Sequence, residues 1–157
     1  MDHIEGFIMT SMETIQSILN IIKANHESYY SYITGYKNPR ESILNYMICE
    51  DLRKSFTGLT VETDIKLKVN DKNRYIDVIL YKNDNPFIYL LIRREYGKNN
   101  IPIEKDTRKV EFLTSENANT IGIVTCFLNP PSKDIRYVVF VNGIKSIPSD
   151  ETEFSTI

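Results

Sequence analysis

The chain has 157 residues, of which 41% are hydrophobic and 25% charged; this predicts a single globular domain with a real core and excludes a wholly disordered polypeptide. No apolar run approaches the roughly 20 residues of a membrane-spanning helix, and the opening MDHIEGFIM reads as lacking a secretory signal. Cys49 and Cys126 stand far apart without a CxxC or Cys/His partner, so neither a zinc nor a disulfide framework is expected, and a reducing cytoplasmic compartment is.

The formal charge of −2 hides an asymmetry. Residues 66–109 hold eleven Lys/Arg against six Asp/Glu, a balance of +5, while the rest of the chain carries −7. A basic segment in an acidic chain suits a local polyanion site rather than strong non-specific binding of nucleic acid. Solvated charges on strand and helix faces would give the same count.

In chain order, Thr10 and Glu13 have capping-box spacing, and Ile15, Ile18, Leu19, Ile22, Tyr29, Tyr30 and Ile33 follow at helical intervals, with Gly35 as a stop. Asn38-Pro39-Arg40-Glu41 opens a second helix with the stripe Leu44, Met47, Ile48, Leu52 and Phe56, ended by Thr57-Gly58. Val61, Thr63, Ile65, Leu67 and Val69 then alternate with polar residues, which predicts a strand with one wet face. The turn-rich Asn70–Asn73 and Asn83–Pro86 separate it from strands at 74–82 and 87–96, an antiparallel meander. The continuous run FIYLLI marks the third strand as buried on both faces. Pro102 to about Thr114 reads as a helix and IGIVTCF, residues 121–127, as a buried strand, so a crossover links the two. Arg136–Val141 is the last expected strand. The acidic tail from Ser149 reads as frayed.

Two features stand out of this pattern: a lone acid, Asp77, among the apolar residues of the second strand, and the cluster Arg93-Arg94-Glu95 closing the buried third strand. Charges ending a buried strand belong at a site or a sheet edge, because an isolated buried charge is costly. With this element order, residues 41–127 resemble the PD-(D/E)XK, or restriction-endonuclease-like, nuclease superfamily. That resemblance implies an acid on a helix, matched by Glu41, an acid on the second strand, matched by Asp77, and acid-x-lysine ending the third. The carboxylates would hold Mg²⁺, and the lysine would orient the attacking water. The third strand departs from the pattern: positions 93 and 95 are charge-swapped and share one strand face. Arg93 would then pair with Asp77 and compete with a divalent cation. In the alternative, Glu41, Asp77 and Glu95 supply three carboxylates for Mg²⁺ or Mn²⁺, with Asp77 and Glu95 as metal ligands and arginine stabilising transition-state charge.

Structural readings stand beside these. Glu41 serves equally as the capping partner of Asn38, and Arg93-Arg94 as a solvated strand end. The tyrosines at 29, 30, 32 and 36 read as a packed helix stripe before a base-stacking platform. His3 and His26 lack metal-ligand spacing. Asp106 lies on the Ile103/Val110 face of its helix, flanked by Lys105, Arg108 and Lys109; in the resembling family this helix borders the active site, and a solvated face is the default.

The expectation is therefore an α/β domain over residues 1–157: a mixed central sheet with flanking helices, restriction-endonuclease-like in its 38–148 core. A helical extension at 10–34 would cover the sheet or mediate a homodimer, and a flexible acidic tail would occupy 149–157. The leading functional expectation is a nuclease-like domain with a rearranged, metal-free site centred on Glu41, Asp77, Arg93 and Glu95. It would bind nucleic acid, through Arg94, Lys98, Lys105, Arg108 and Lys109, or a protein, in a setting of bacterial or phage defence and counter-defence suggested by fold analogy. The alternatives are an active Mg²⁺-dependent nuclease and a protein-binding inhibitor or assembly module.

Overall fold

The computed structural model of the chain describes residues 3–32, 41–94, 101–127, 135–147 and 155–156. The elements are α1 (His3–Tyr32), α2 (Glu41–Ser55), β1 (Thr60–Val69), β2 (Lys72–Lys82), β3 (Asn85–Arg94), α3 (Ile101–Glu116), β4 (Ile121–Phe127), β5 (Ile135–Val141), β6 (Ile144–Ile147) and β7 (Ser155–Thr156). The fold is α/β, a mixed sheet in the order β1-β2-β3-β4-β5-β6 with β7 on β5. β3 and β4 run parallel through the α3 crossover, and the other pairings are antiparallel. The expected meander and crossover are both present.

Turn chemistry sets the hairpins. Asn70 and Asp71 have φ of 51° and 64°, Asn83 and Asp84 have 52° and 65°, and Asn142 and Gly143 have 51° and 81°. Two successive left-handed residues give the type I′ twist that continues both strands, and Asn, Asp and Gly are the residues that tolerate it. Two-residue loops let the strands run closer to the turns than the sequence pattern suggested, so β2 begins at Lys72 and β3 at Asn85. Asn142-Gly143 likewise creates β6, an element the sequence reading passed over.

The helices form layers on the two sheet faces. Ile15, Ile18, Leu19 and Ile22 of α1 and Leu44, Ile48, Cys49 and Leu52 of α2 pack with Val78, Leu80, Ile88, Leu90, Ile92, Ile121 and Ile123. Each such aliphatic side chain contributes about 1.5–3 kcal/mol on burial. The α1 stripe thus lies in the chain's own core, and Asn25 Nδ2 donates to Asp51 Oδ2 of α2 at 2.7 Å. α3 covers the other face through Val110 and Leu113, against Ile76, Ile79, Tyr89, Leu91 and Val124. There Gly122 is required: a Cβ on it would fall 2.6 Å from Val110 Cβ.

Three expectations need correction. α1 begins at His3, so Thr10 and Glu13 lie inside the helix rather than at its cap; Ile4 and Ile8 continue the helical spacing upstream. β1 does not keep one wet face: Val61 joins the core beneath α1 and α2, while Ile65, Leu67 and Val69 pack on the α3 side. Asp64, at φ 52°, stands between these two groups and reverses the alternation. Finally, Ser155 and Thr156 of the tail read as frayed pair with Tyr137 and Arg136. The helix signals at Gly35 and at 38–40 lie outside the described residues.

Candidate functional site

The site is built where the meander opens. β2 reverses its alternation opposite Asp64: Ile76 faces α3, whereas Val78 and Leu80 face α1 and α2. The reversal at Asp77 turns the outer part of the β1–β2 hairpin onto the α3 side. Pairing of β2 with β3 ends at Val78–Leu90. Beyond it the backbone amide of Ile92 has no partner from β2's main chain, and Asp77 Oδ2 accepts its hydrogen bond at 2.8 Å. The half-buried Asp77 carboxylate thus caps the point where the two strands part.

Arg93 lies one residue further on, on the strand face it shares with Tyr89 and Leu91, toward α3. Asp106 meets it from the first half of α3. Arg93 Nε donates to Asp106 Oδ2 and Nη2 to Oδ1 at 3.0 Å, a two-point grip. Lys109, three residues along the helix, adds a contact to Oδ1 at 3.3 Å. The Asp106 side chain is only 2% exposed, and two cations compensate the burial of its charge. The sequence paired Arg93 with Asp77. The structure assigns the two-point grip to Asp106, because Asp77 is engaged by a strand amide and α3 packs on the face that Arg93 occupies.

Two adjoining clefts open beside this cluster. The wider, about 620 Å³, runs between the hairpin tip and α3 and is lined by Val69, Asn70, Lys72, Arg74, Arg93, Lys105, Arg108, Lys109 and Phe112. Six of those residues are cationic and none is acidic. The narrower, about 320 Å³, is lined by Asn73, Arg74, Tyr75, Asp77, Leu91, Ile92, Arg93, Asp106 and Lys109. Arg74, Arg93 and Lys109 border both. Among the described residues, no carboxylate pairs with Lys72, Arg74, Lys105 or Arg108. Four cations with no described acidic partner around a concavity make a local positive field on an otherwise acidic protein.

Compared with protein-family models and with curated proteins, the sequence matches none of them.

Of the residues singled out from sequence, Asp77, Arg93, Lys105, Arg108 and Lys109 converge on these clefts. Glu41 opens α2 and Arg94 closes β3, but their side chains lie outside the described residues, as do Glu95 and Lys98 entirely. The carboxylate set of the metal-dependent alternative therefore has only Asp77 among the described side chains. Among those side chains no three His, Cys, Asp or Glu groups converge as a cation site. Burial pushes the Cys49 thiol up to about 11, which keeps it a neutral core residue. His26 is buried, its ring stacked on Phe127 at 4.1 Å.

Sequence reasoning missed Lys72, Arg74 and Asp106 as site residues. The first two sit in the basic 66–109 segment, but only the hairpin's rotation carries them to α3. Asp106 had a signal: an acid on the apolar face of its helix, where burial demands a cationic partner.

Proposed function

We propose that this protein is a nuclease-like domain whose rearranged, metal-free site binds nucleic acid in the basic cleft between the β1–β2 hairpin and α3. The observation that carries this reading is the wider cleft, where no acid stands among the described lining residues and no described carboxylate pairs with Lys72, Arg74, Lys105 or Arg108. Arginine and lysine grouped in this way match the spaced phosphates of a nucleic-acid backbone. The acidic remainder of the chain would repel a polyanion and confine binding to the cleft. The guanidinium of Arg93 and the ammonium of Lys109 meet at Asp106, so the carboxylate nearest the cations already carries its counter-charges.

Fluorescence anisotropy with labelled DNA and RNA at several salt concentrations tests the proposal. Affinity should fall with salt, and Lys105→Glu/Arg108→Glu should weaken binding by more than about tenfold and flatten the log–log salt slope by roughly two. Absence of binding at low salt overturns the proposal and favours the protein-binding alternative. The place of Asp77 on the narrower cleft supports the catalytic alternative. Cleavage in Mg²⁺ or Mn²⁺ that Asp77→Ala abolishes would establish it.

A further inference from the structure

The two clefts differ in chemistry. The wider one has cations on both walls and no acid among its described lining residues. The narrower one holds both carboxylates, Asp77 and Asp106, and with them Tyr75. Tyr75 is 62% exposed although it stands in the paired part of β2 opposite Lys66. Tyr75 and Arg74 both border this cleft, so an exposed aromatic residue offers a stacking surface near a phosphate contact. Asp106 is buried and taken up by Arg93 and Lys109, which leaves the Asp77 carboxylate to disfavour a phosphate in the narrower cleft, and a carboxylate accepts hydrogen bonds from base N–H groups.

Size points the same way. Volumes of about 620 and 320 Å³ fall within the roughly 300–1,000 Å³ of pockets that enclose small ligands. A duplex carries its phosphates on the outside of a broad cylinder and receives protein elements that project into its grooves. A concave cleft of this size instead encloses a few nucleotides of a flexible strand.

We infer that the ligand is a single-stranded nucleic acid, its phosphates in the wider cleft on Lys72, Arg74, Lys105 and Arg108 and one base stacked on Tyr75 in the narrower. This inference rests on the cleft being a nucleic-acid site, and it adds strandedness and a base contact. Tyr75 carries no charge, so its part in binding separates from that of the cations.

The experiment compares a fluorescent oligothymidylate, the same strand annealed to its complement, and an abasic strand of equal length. The single strand should bind at least about tenfold more tightly than either of the others, the scale of one stacked base. Tyr75→Ala should reduce the oligothymidylate to the affinity of the abasic strand and leave the salt slope unchanged. Tyr75→Phe should retain the preference, because stacking needs the ring and not the hydroxyl. Equal affinity for all three probes, or a preference that survives Tyr75→Ala, overturns the inference and leaves the cleft proposal standing. Binding that Lys105→Glu/Arg108→Glu does not weaken, or no binding of any probe, overturns the cleft proposal and this inference together.

Discussion

Arg93 on the central sheet and Asp106 on α3 are joined at two points, and this pair links the floor of the cleft to its helical wall. Arg93→Ala leaves a buried carboxylate with Lys109 alone. Breaking a buried pair costs about 3–5 kcal/mol. Because the arginine side chain is 39% exposed and one lysine remains, the expected loss is nearer 1–3 kcal/mol. Arg93→Ala/Asp106→Ala should regain part of it, with a coupling of about 0.5–3 kcal/mol in urea melts. Strictly additive losses would show that the pair does not stabilise the fold.

Asp77 supports the sheet where β2 leaves β3. Asp77→Ala strands the Ile92 amide and should cost about 1–3 kcal/mol, while Asp77→Asn, which keeps an acceptor oxygen, should cost less. Hydrogen exchange at Ile92 should accelerate in Asp77→Ala more than at its neighbours. Were Asp77 instead one of a set of repelling metal ligands, Asp77→Ala would be neutral or stabilising in the metal-free protein.

A metal-free site predicts no rise in melting temperature with millimolar Mg²⁺ or Mn²⁺. A cation stabilises the fold only when it binds the native state below the concentration used, and the fixed positive charges of Arg93 and Lys109 oppose that. A Mn²⁺-dependent rise abolished by Asp77→Ala would instead favour the catalytic reading.

Alkaline pH should destabilise the protein. Burial raises the Cys49 thiol from 9.0 to about 11 and, with the nearby Tyr81, the Tyr89 phenol from 10.0 to about 12. Both shifts favour the neutral form in the folded state. Their stabilisation is complete below the unfolded values, near pH 9 and 10, and is lost as pH rises through the folded ones. At about 1.4 kcal/mol per unit, each group accounts for a loss on the order of 3 kcal/mol at most. Tyr89→Phe should flatten the upper part of this fall in denaturant melts run between pH 9 and 12.

Local chemistry was enough to place most elements and one line of the site. The Asn-Asp turns announced the hairpins, the apolar run of β3 announced a central strand, and the helix before IGIVTCF announced the crossover. Each of these depends on neighbours along the chain, where sequence spacing is also spatial spacing. Asp77 was legible for the same reason, as a charge out of pattern within one strand.

The partner of Arg93 was not legible. Sequence places Asp77 and Arg93 on neighbouring strands, but it does not say which helical carboxylate packs over them. Nor does alternation reveal that Asp64 adopts a left-handed backbone, since Asp tolerates both conformations and the apolar spacing of β1 is the same on either side. That one reversal carries Ile65, Leu67 and Val69 to the α3 face and brings Lys72 and Arg74 toward Lys105 and Arg108. Sequence by itself therefore determined β1 to β5, the two Asn-Asp turns and an excess of positive charge over residues 66–109. Tertiary packing alone decided that the charge lines a cleft, because a cleft needs two walls and its walls lie some thirty residues apart in the chain.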